Sequence, residues 1–417
     1  MRFYTLAILL LAATPARAYS VLSHEAIIDA EWDKGIKPLL RARYPNASEA
    51  DLRTAHSYAY AGSIIQDMGY YPFGSHFFTD LVHYVRSGDF VINLVRESQS
   101  LDDYAFALGA LAHYAADTEG HSIAVNRSVP VEYPKLQRKY GSIVTYEDDP
   151  TAHLRVEFGF DVLQVARGSY APQAYHDFIG FNVAKPLLER AFLDTYGLEL
   201  TDVFKDLDLA LGSYRRAVSS VIPEVTRAAW NAKKKDLQKA RPGVTRSRFV
   251  YRLSRSSYHR EWSGAYREPG PGAKVLAILI RVVPKVGPFR TLGFKAPTPA
   301  TERLFEDSFD RTLDRYDRLL HEQRNHQLQL ADLDFDTGKP TRPGEYRMAD
   351  NAYAKLAQTL AAKDPATVDP LVRQNVLAYF SNLDQPYWTK EKRKDWIETV
   401  EAVQKLKAER TASRMQQ

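Results

Sequence analysis

The sequence predicts an all-α protein, a multi-helix bundle with further helices toward its C-terminus. Three observations predict it. Apolar residues recur at spacings of three and four, as in Tyr104, Leu108, Leu111 and Ala115, and again through Phe305 to Leu320 and Tyr353 to Leu360. Alternating strand patterns are few and short. Turn clusters at residues 69–74, 127–134, 148–150, 269–272 and 297–299 punctuate the helical stretches. Hydrophobic residues make up 45% of the chain and aromatics 12%, which excludes a broadly disordered protein. There is no cysteine, so a disulfide framework, a thiolate metal site and a cysteine nucleophile are excluded together. Lys and Arg number 56 against 51 Asp and Glu, a near balance that confines any nucleic-acid-binding surface to a local patch.

Residues 1–18 read as a signal peptide. Arg2 is a short positive region, Leu6 to Leu11 an apolar core, and Ala16-Arg17-Ala18 a small-x-small cleavage site. The apolar run is too short to span a bilayer. Cleavage after Ala18 leaves Tyr19 as the mature N-terminus and implies a periplasmic or secreted protein. Residues 19–295 are expected to form one helical domain and residues 296–417 a helical extension.

Residues 227–260 hold eleven Lys and Arg and one acid, Asp236. Such a run is a solvated face, an attractor of anionic lipid headgroups, or an attractor of a nucleic-acid backbone. The apolar segment Val275–Ile280, with Val282 and Val283 after it, is a core helix or an interfacial one, and is again too short to span a membrane.

Seven of the eleven histidines fall within the first 160 residues, which points to chemistry there. His113, Asp117 and His121 stand at i, i+4 and i+8. Each step of four on a helix is a net rotation of about 40°, so the three lie along one face. Their surroundings, Phe106 to Ala112, are nearly all apolar, and a carboxylate buried there without a partner is costly. Imidazole and carboxylate are both zinc ligands. His153 and Glu157 repeat the i, i+4 spacing on a second segment. Asp67 follows an apolar run and precedes a Gly/Pro turn, where an acid also serves as a helix cap. His24 lies five residues after Tyr19, whose free amine and carbonyl would chelate a metal once the signal is cut. Beside Asp67 stand Tyr70, Tyr71, Phe73, Phe77 and Phe78, which suit either a lipid-facing pocket or the core.

In order, Tyr19, His24, Asp67, His83, His113, Asp117, His121, His153 and Glu157 resemble the zinc-dependent phospholipase C family. That family includes fungal single-strand nucleases and the N-terminal domain of glycosylphosphatidylinositol-specific phospholipase D. The motifs cover residues 19–165. The resemblance implies an all-helical fold with up to three Zn²⁺ ions in a cleft, acting on phosphate esters of phospholipids at a membrane surface. It implies that Asp117 bridges two metals. Tyr19 and His24 then complete one site, and Asp67, His83 and His113 its partner, while His121, His153 and Glu157 hold the third. His76 is the alternative to His83, which is preferred because it lies 16 residues after Asp67. Asp67 is the expected catalytic group, orienting or deprotonating the attacking water. Bacterial members have a longer gap between the bridging acid and the next histidine, and begin with Trp where this chain has Tyr19. The shorter gap is similar to that of the glycosylphosphatidylinositol-specific branch. Two other readings of the same scaffold are an exported zinc nuclease acting on nucleic acid and a non-catalytic zinc-stabilised protein of membrane surfaces.

Overall fold

The structure, a computed structural model, describes residues 21–167, 181–217, 293–363 and 367–415. The signal segment, Tyr19, the basic stretch 227–260 and the apolar segment 275–283 lie outside these residues. The described chain is built from helices in the following order. The first group comprises α1 (Val21–Glu31), α2 (Lys37–Arg43), α3 (Glu49–Gly62), α4 (His76–Tyr84), α5 (Ser87–Glu97) and α6 (Leu101–Glu119). There follow α7 (Asn126–Glu132), α8 (Pro134–Tyr140), α9 (Pro150–Arg167), α10 (Lys185–Tyr196), α11 (Leu200–Val203) and α12 (Leu207–Arg216). The last group is α13 (Pro299–Arg324), α14 (Arg347–Ala362), α15 (Pro370–Tyr379) and α16 (Arg393–Met415). A two-stranded antiparallel ribbon, β1 (Leu333–Asp334) and β2 (Lys339–Pro340), is the only sheet among the described residues. No helix among them is long and apolar enough to cross a membrane.

Local chemistry sets the helix starts. Ser48 and Asp51 form a reciprocal capping box on α3, and Ser100 caps α6 by accepting from the Asp103 backbone N–H at 3.0 Å. Thr298 caps α13, with Pro299 at its first turn.

Helix α6 is the axis of the molecule, buried without a break from Tyr104 to Thr118. Its neighbour α3 approaches so closely that two glycines are required. A Cβ on Gly62 would stand 2.0 Å from the Phe106 carbonyl oxygen, and one on Gly109 would stand 2.2 Å from that of Ala59. Both obstacles are backbone, so neither can swing aside. Gly62→Ala is expected to destabilise the protein by roughly 1–3 kcal/mol, the usual cost of overpacking, through separation of α3 from α6. A melting temperature equal to the parent's would contradict this.

The C-terminal helices join the same hydrophobic core, which holds Phe305, Phe309 and Tyr316 together with Leu108, Phe106 and Ile27. Tyr316 donates to the Leu108 carbonyl at 2.9 Å, and Arg315 pairs with Glu119 at 3.0 Å. Helix α13 is thereby fastened along α6. The described helices after residue 296 share the core of those before it.

Candidate metal centre

Five polar side chains converge beside the C-terminal half of α6. His113 and Asp117 come from α6 itself, His83 from the end of α4, His24 from α1 and Asp67 from the short 3₁₀ turn Ile65–Tyr70. All five are buried in an apolar surround. Asp117 lies at the centre. Its Oδ2 is 3.1 Å from His113 Nε2 and 3.3 Å from His83 Nε2, and its Oδ1 is 3.5 Å from His24 Nε2. Asp67 Oδ1 lies 3.4 Å from His83 Nε2. The two Asp117 oxygens thus face different imidazoles.

Backbone carbonyls fix the histidine tautomers. His113 Nδ1 donates to the Ser63 carbonyl and His83 Nδ1 to that of Thr79, each at 2.9 Å. In the neutral rings the Nε2 atoms are then lone pairs, turned toward one another at 3.4 Å and toward Asp117. Neither Asp117 oxygen accepts a hydrogen bond. Lone pairs of nitrogen and oxygen gathered in a dry site repel one another unless protons or a cation lie between them. These residues therefore fit a divalent metal. The pattern of imidazoles oriented by backbone acceptors is the one that metal-ligating histidines adopt.

A second cluster adjoins the first. After Glu119, α6 gives way to a π-helical turn, Gly120–Val125. His121 is therefore not the third member of one regular α-helical face. Its Nε2 stands 4.0 Å from Asp117 Oδ2, while the ring stacks on His153 with centroids 5.3 Å apart. Helix α9 supplies His153 and Glu157, with Nδ1 and Oε1 3.2 Å apart. His153 Nε2 donates to the Val144 carbonyl at 3.1 Å and to Asn126 Oδ1 at 2.8 Å, which leaves its Nδ1 as the lone pair facing Glu157. Glu157 Oε2 accepts no hydrogen bond.

Burial governs the electrostatics. It pushes the Asp117 carboxyl up to about 8, with the adjacent His83 pulling the other way, and Glu157 up to about 8, with His153 pulling it down. It also holds the His113 imidazole below its ordinary value. In the absence of a cation these groups favour neutrality, so a metal must displace protons from the carboxyls to bind.

Of the residues expected from the sequence, the structure gathers His24, Asp67, His83, His113 and Asp117 in the first cluster, and His121, His153 and Glu157 in the second. Tyr19 lies outside the described residues. His76 is exposed at the start of α4, with its ring 5.5 Å from that of Tyr70. The aromatic set divides. Tyr70, Tyr71, Phe77 and Phe78 are buried, whereas Phe73 is 60% exposed and adopts a left-handed φ of 65° on the turn after Asp67.

One residue of the second cluster was not anticipated. Asp336 Oδ1 lies 3.3 Å from His121 Nδ1, and Asp336 groups with His121 and His153 in a metal-sized arrangement. It follows β1 in the run Asp332-Leu333-Asp334-Phe335-Asp336, whose acid and apolar residues alternate as in a strand with one polar face, whereas residues 333–336 are all buried.

The fold and the two clusters define an all-helical protein with buried histidine–carboxylate groups that fit metal binding. A model of the zinc dependent phospholipase C family matches residues 24–206, a span that begins at His24 and contains every anticipated ligand in the described residues. No curated protein and no solved structure matches the chain.

Proposed function

We propose that the protein is an exported zinc-dependent phosphodiesterase that hydrolyses the phosphate ester of phospholipids. The observation that carries this reading is Asp117, a buried carboxylate with each oxygen facing a different set of imidazole lone pairs, in a segment matching a zinc dependent phospholipase C. His24 and Asp117 Oδ1 would hold one ion, Asp67, His83, His113 and Asp117 Oδ2 a second, and His121, His153 and Glu157 a third. Zinc at the two positions sharing Asp117 would supply Lewis acidity for phosphoryl oxygens and a water activated near neutral pH. Asp67 orients the attacking water and takes its proton, from a carboxylate held on a buried 3₁₀ turn. Tyr70 stands edge-on to His83 with centroids 6.4 Å apart, and it shapes the apolar wall beside the pair. The exposed Phe73, three residues beyond that turn, offers a contact for a lipid surface. The leader read at residues 1–18 supports export of that activity.

A substrate panel under one zinc-buffered condition tests the proposal. It compares phosphatidylcholine vesicles, phosphatidylinositol vesicles and single-stranded DNA. Release of phosphorylated headgroup or phosphatidic acid from a lipid, abolished by chelation and restored by zinc, is the expected result. Cleavage of DNA alone would replace the lipid reading with a nuclease. Vesicle binding without turnover by the zinc-loaded protein would replace it with a non-catalytic membrane-surface role.

A further inference from the structure

We infer that Asp336, from beyond the residues matched by the family model, is a direct fourth protein ligand of the metal held by His121, His153 and Glu157. The inference rests on the metal-centre reading and deepens it: this site is closed and structural, and the open coordination position belongs to the pair around Asp117.

The two oxygens of Asp336 have separate tasks. Oδ2 accepts from the Tyr146 backbone N–H at 2.9 Å and from the Tyr346 hydroxyl at 2.5 Å. Oδ1 accepts no hydrogen bond and is aimed at His121 Nδ1, 3.3 Å away. Two ligands on one tetrahedral zinc, with bonds near 2.0–2.1 Å, stand about 3.4 Å apart. A carboxylate pinned through one oxygen and bare at the other is arranged as a monodentate ligand. The side chain is 2% exposed, so its bare oxygen has no bulk water to turn to.

The surrounding segment is built to hold that oxygen in place. The Asp336 carbonyl accepts from Asn126 Nδ2 at 2.7 Å, and the Oδ1 of the same Asn126 accepts from His153 Nε2 at 2.8 Å. One amide therefore orients two members of the cluster. The neighbouring acids have other roles. Asp332 accepts from the backbone N–H groups of Gly88 and Asp89 at the start of α5, at 3.0 and 3.1 Å. Asp334 Oδ1 accepts from the Asp336 backbone N–H at 2.9 Å, and Oδ2 from the Thr337 hydroxyl at 2.8 Å. Only Asp336 faces the histidines. Between these acids Phe335 is fully buried, with its ring 5.2 Å from that of His83 and 6.1 Å from that of His113. The same strap thus covers the first cluster and closes the second. Four protein ligands mark a structural zinc, whereas catalytic zinc keeps a position open.

The test is zinc stoichiometry and affinity of the full-length protein in zinc-buffered solution, read without reference to turnover, for wild type, Asp336→Asn and Tyr346→Phe. Wild type is expected to hold its full complement. Asp336→Asn is expected to weaken one zinc, and one only, by roughly a thousand-fold or more, as loss of a direct ligand from a closed site does. Tyr346→Phe keeps the carboxylate and should weaken the same zinc by about 10–100-fold at most, as loss of an outer partner does, and it checks the proposal should the asparagine variant fail to fold. A loss of 100-fold or less in Asp336→Asn would assign Asp336 a positioning role through His121 and overturn direct ligation. Equal loss in both variants would do the same. A wild type that binds no zinc would instead bring down the metal-centre reading itself.

Discussion

Asp117→Asn is expected to remove two of about three bound zinc ions and to lower phosphodiesterase activity by a factor on the order of 10³ or more, the scale seen when a preorganised charge-stabilising group is lost. The reason is the placement of the two oxygens, one toward His24 and the other toward His83 and His113. Asparagine offers one oxygen and one amide, and the amide presents N–H where a lone pair is required. It also removes the negative charge from a site otherwise lined by neutral imidazoles and Asp67. The metal-free protein should behave differently. There the Asp117 carboxyl, pushed up to about 8 by burial, accepts no hydrogen bond, and an amide can donate to the facing Nε2 lone pairs. The variant is therefore expected to equal or exceed wild type in thermal stability with chelator present, and to fall below it in zinc. Elemental analysis and melting curves on the two proteins read this directly. An unchanged zinc content would refute the bridging role, and a metal-free variant much less stable than wild type would show Asp117 to be structural.

Part of this candidate centre was legible in the sequence because two of its pairs sit on helices at regular spacing. His113 and Asp117 share a face by arithmetic alone, as do His153 and Glu157. The apolar residues around Asp117 announced that the face is buried. The all-α fold followed from the same periodicity. What spacing could not convey was the π-helical turn at Gly120–Val125, which carries His121 away from a regular face and toward α9. A single extra residue per turn leaves no mark in a pattern of apolar residues. Asp336 was hidden for a different reason. It reaches the site from 215 positions beyond His121, on a strap whose placement depends on tertiary contacts with Ser87, Asn126 and Tyr346. The tight crossing of α3 and α6 was equally silent, since Gly62 and Gly109 read locally as weak points of helices rather than as the point of contact between them.

Removal of zinc should lower the melting temperature by about 10 °C or more, and the gap between zinc-bound and chelated protein should widen from pH 6 to pH 8. Zinc at a thousand times its dissociation constant contributes about 4 kcal/mol for each site, and a kcal/mol shifts the midpoint of a mid-sized domain by about 2–4 °C. The sign of the pH dependence follows from Asp117 and Glu157, both raised to about 8 by burial in the metal-free protein. The unfolded chain titrates these groups near 4, so between pH 4 and 8 the folded apo-protein binds more protons than the unfolded one. Its stability contribution from them is fully present below pH 4 and is lost as pH rises through 8. Buried Glu25, also raised by burial and by the nearby Asp29 and Asp161, works in the same direction. Zinc reverses the linkage, because the ligating carboxyls must be ionised and each proton displaced below pH 8 opposes binding by about 1.4 kcal/mol per pH unit. Apo-protein should therefore lose stability on passing from pH 6 to 8, while zinc recovers an increasing share of it. Melting curves at both pH values, with zinc and with chelator, measure the gap. A gap that stayed constant or narrowed toward pH 8 would mean that metal binding displaces no proton from Asp117 or Glu157, and that these carboxyls are not its ligands.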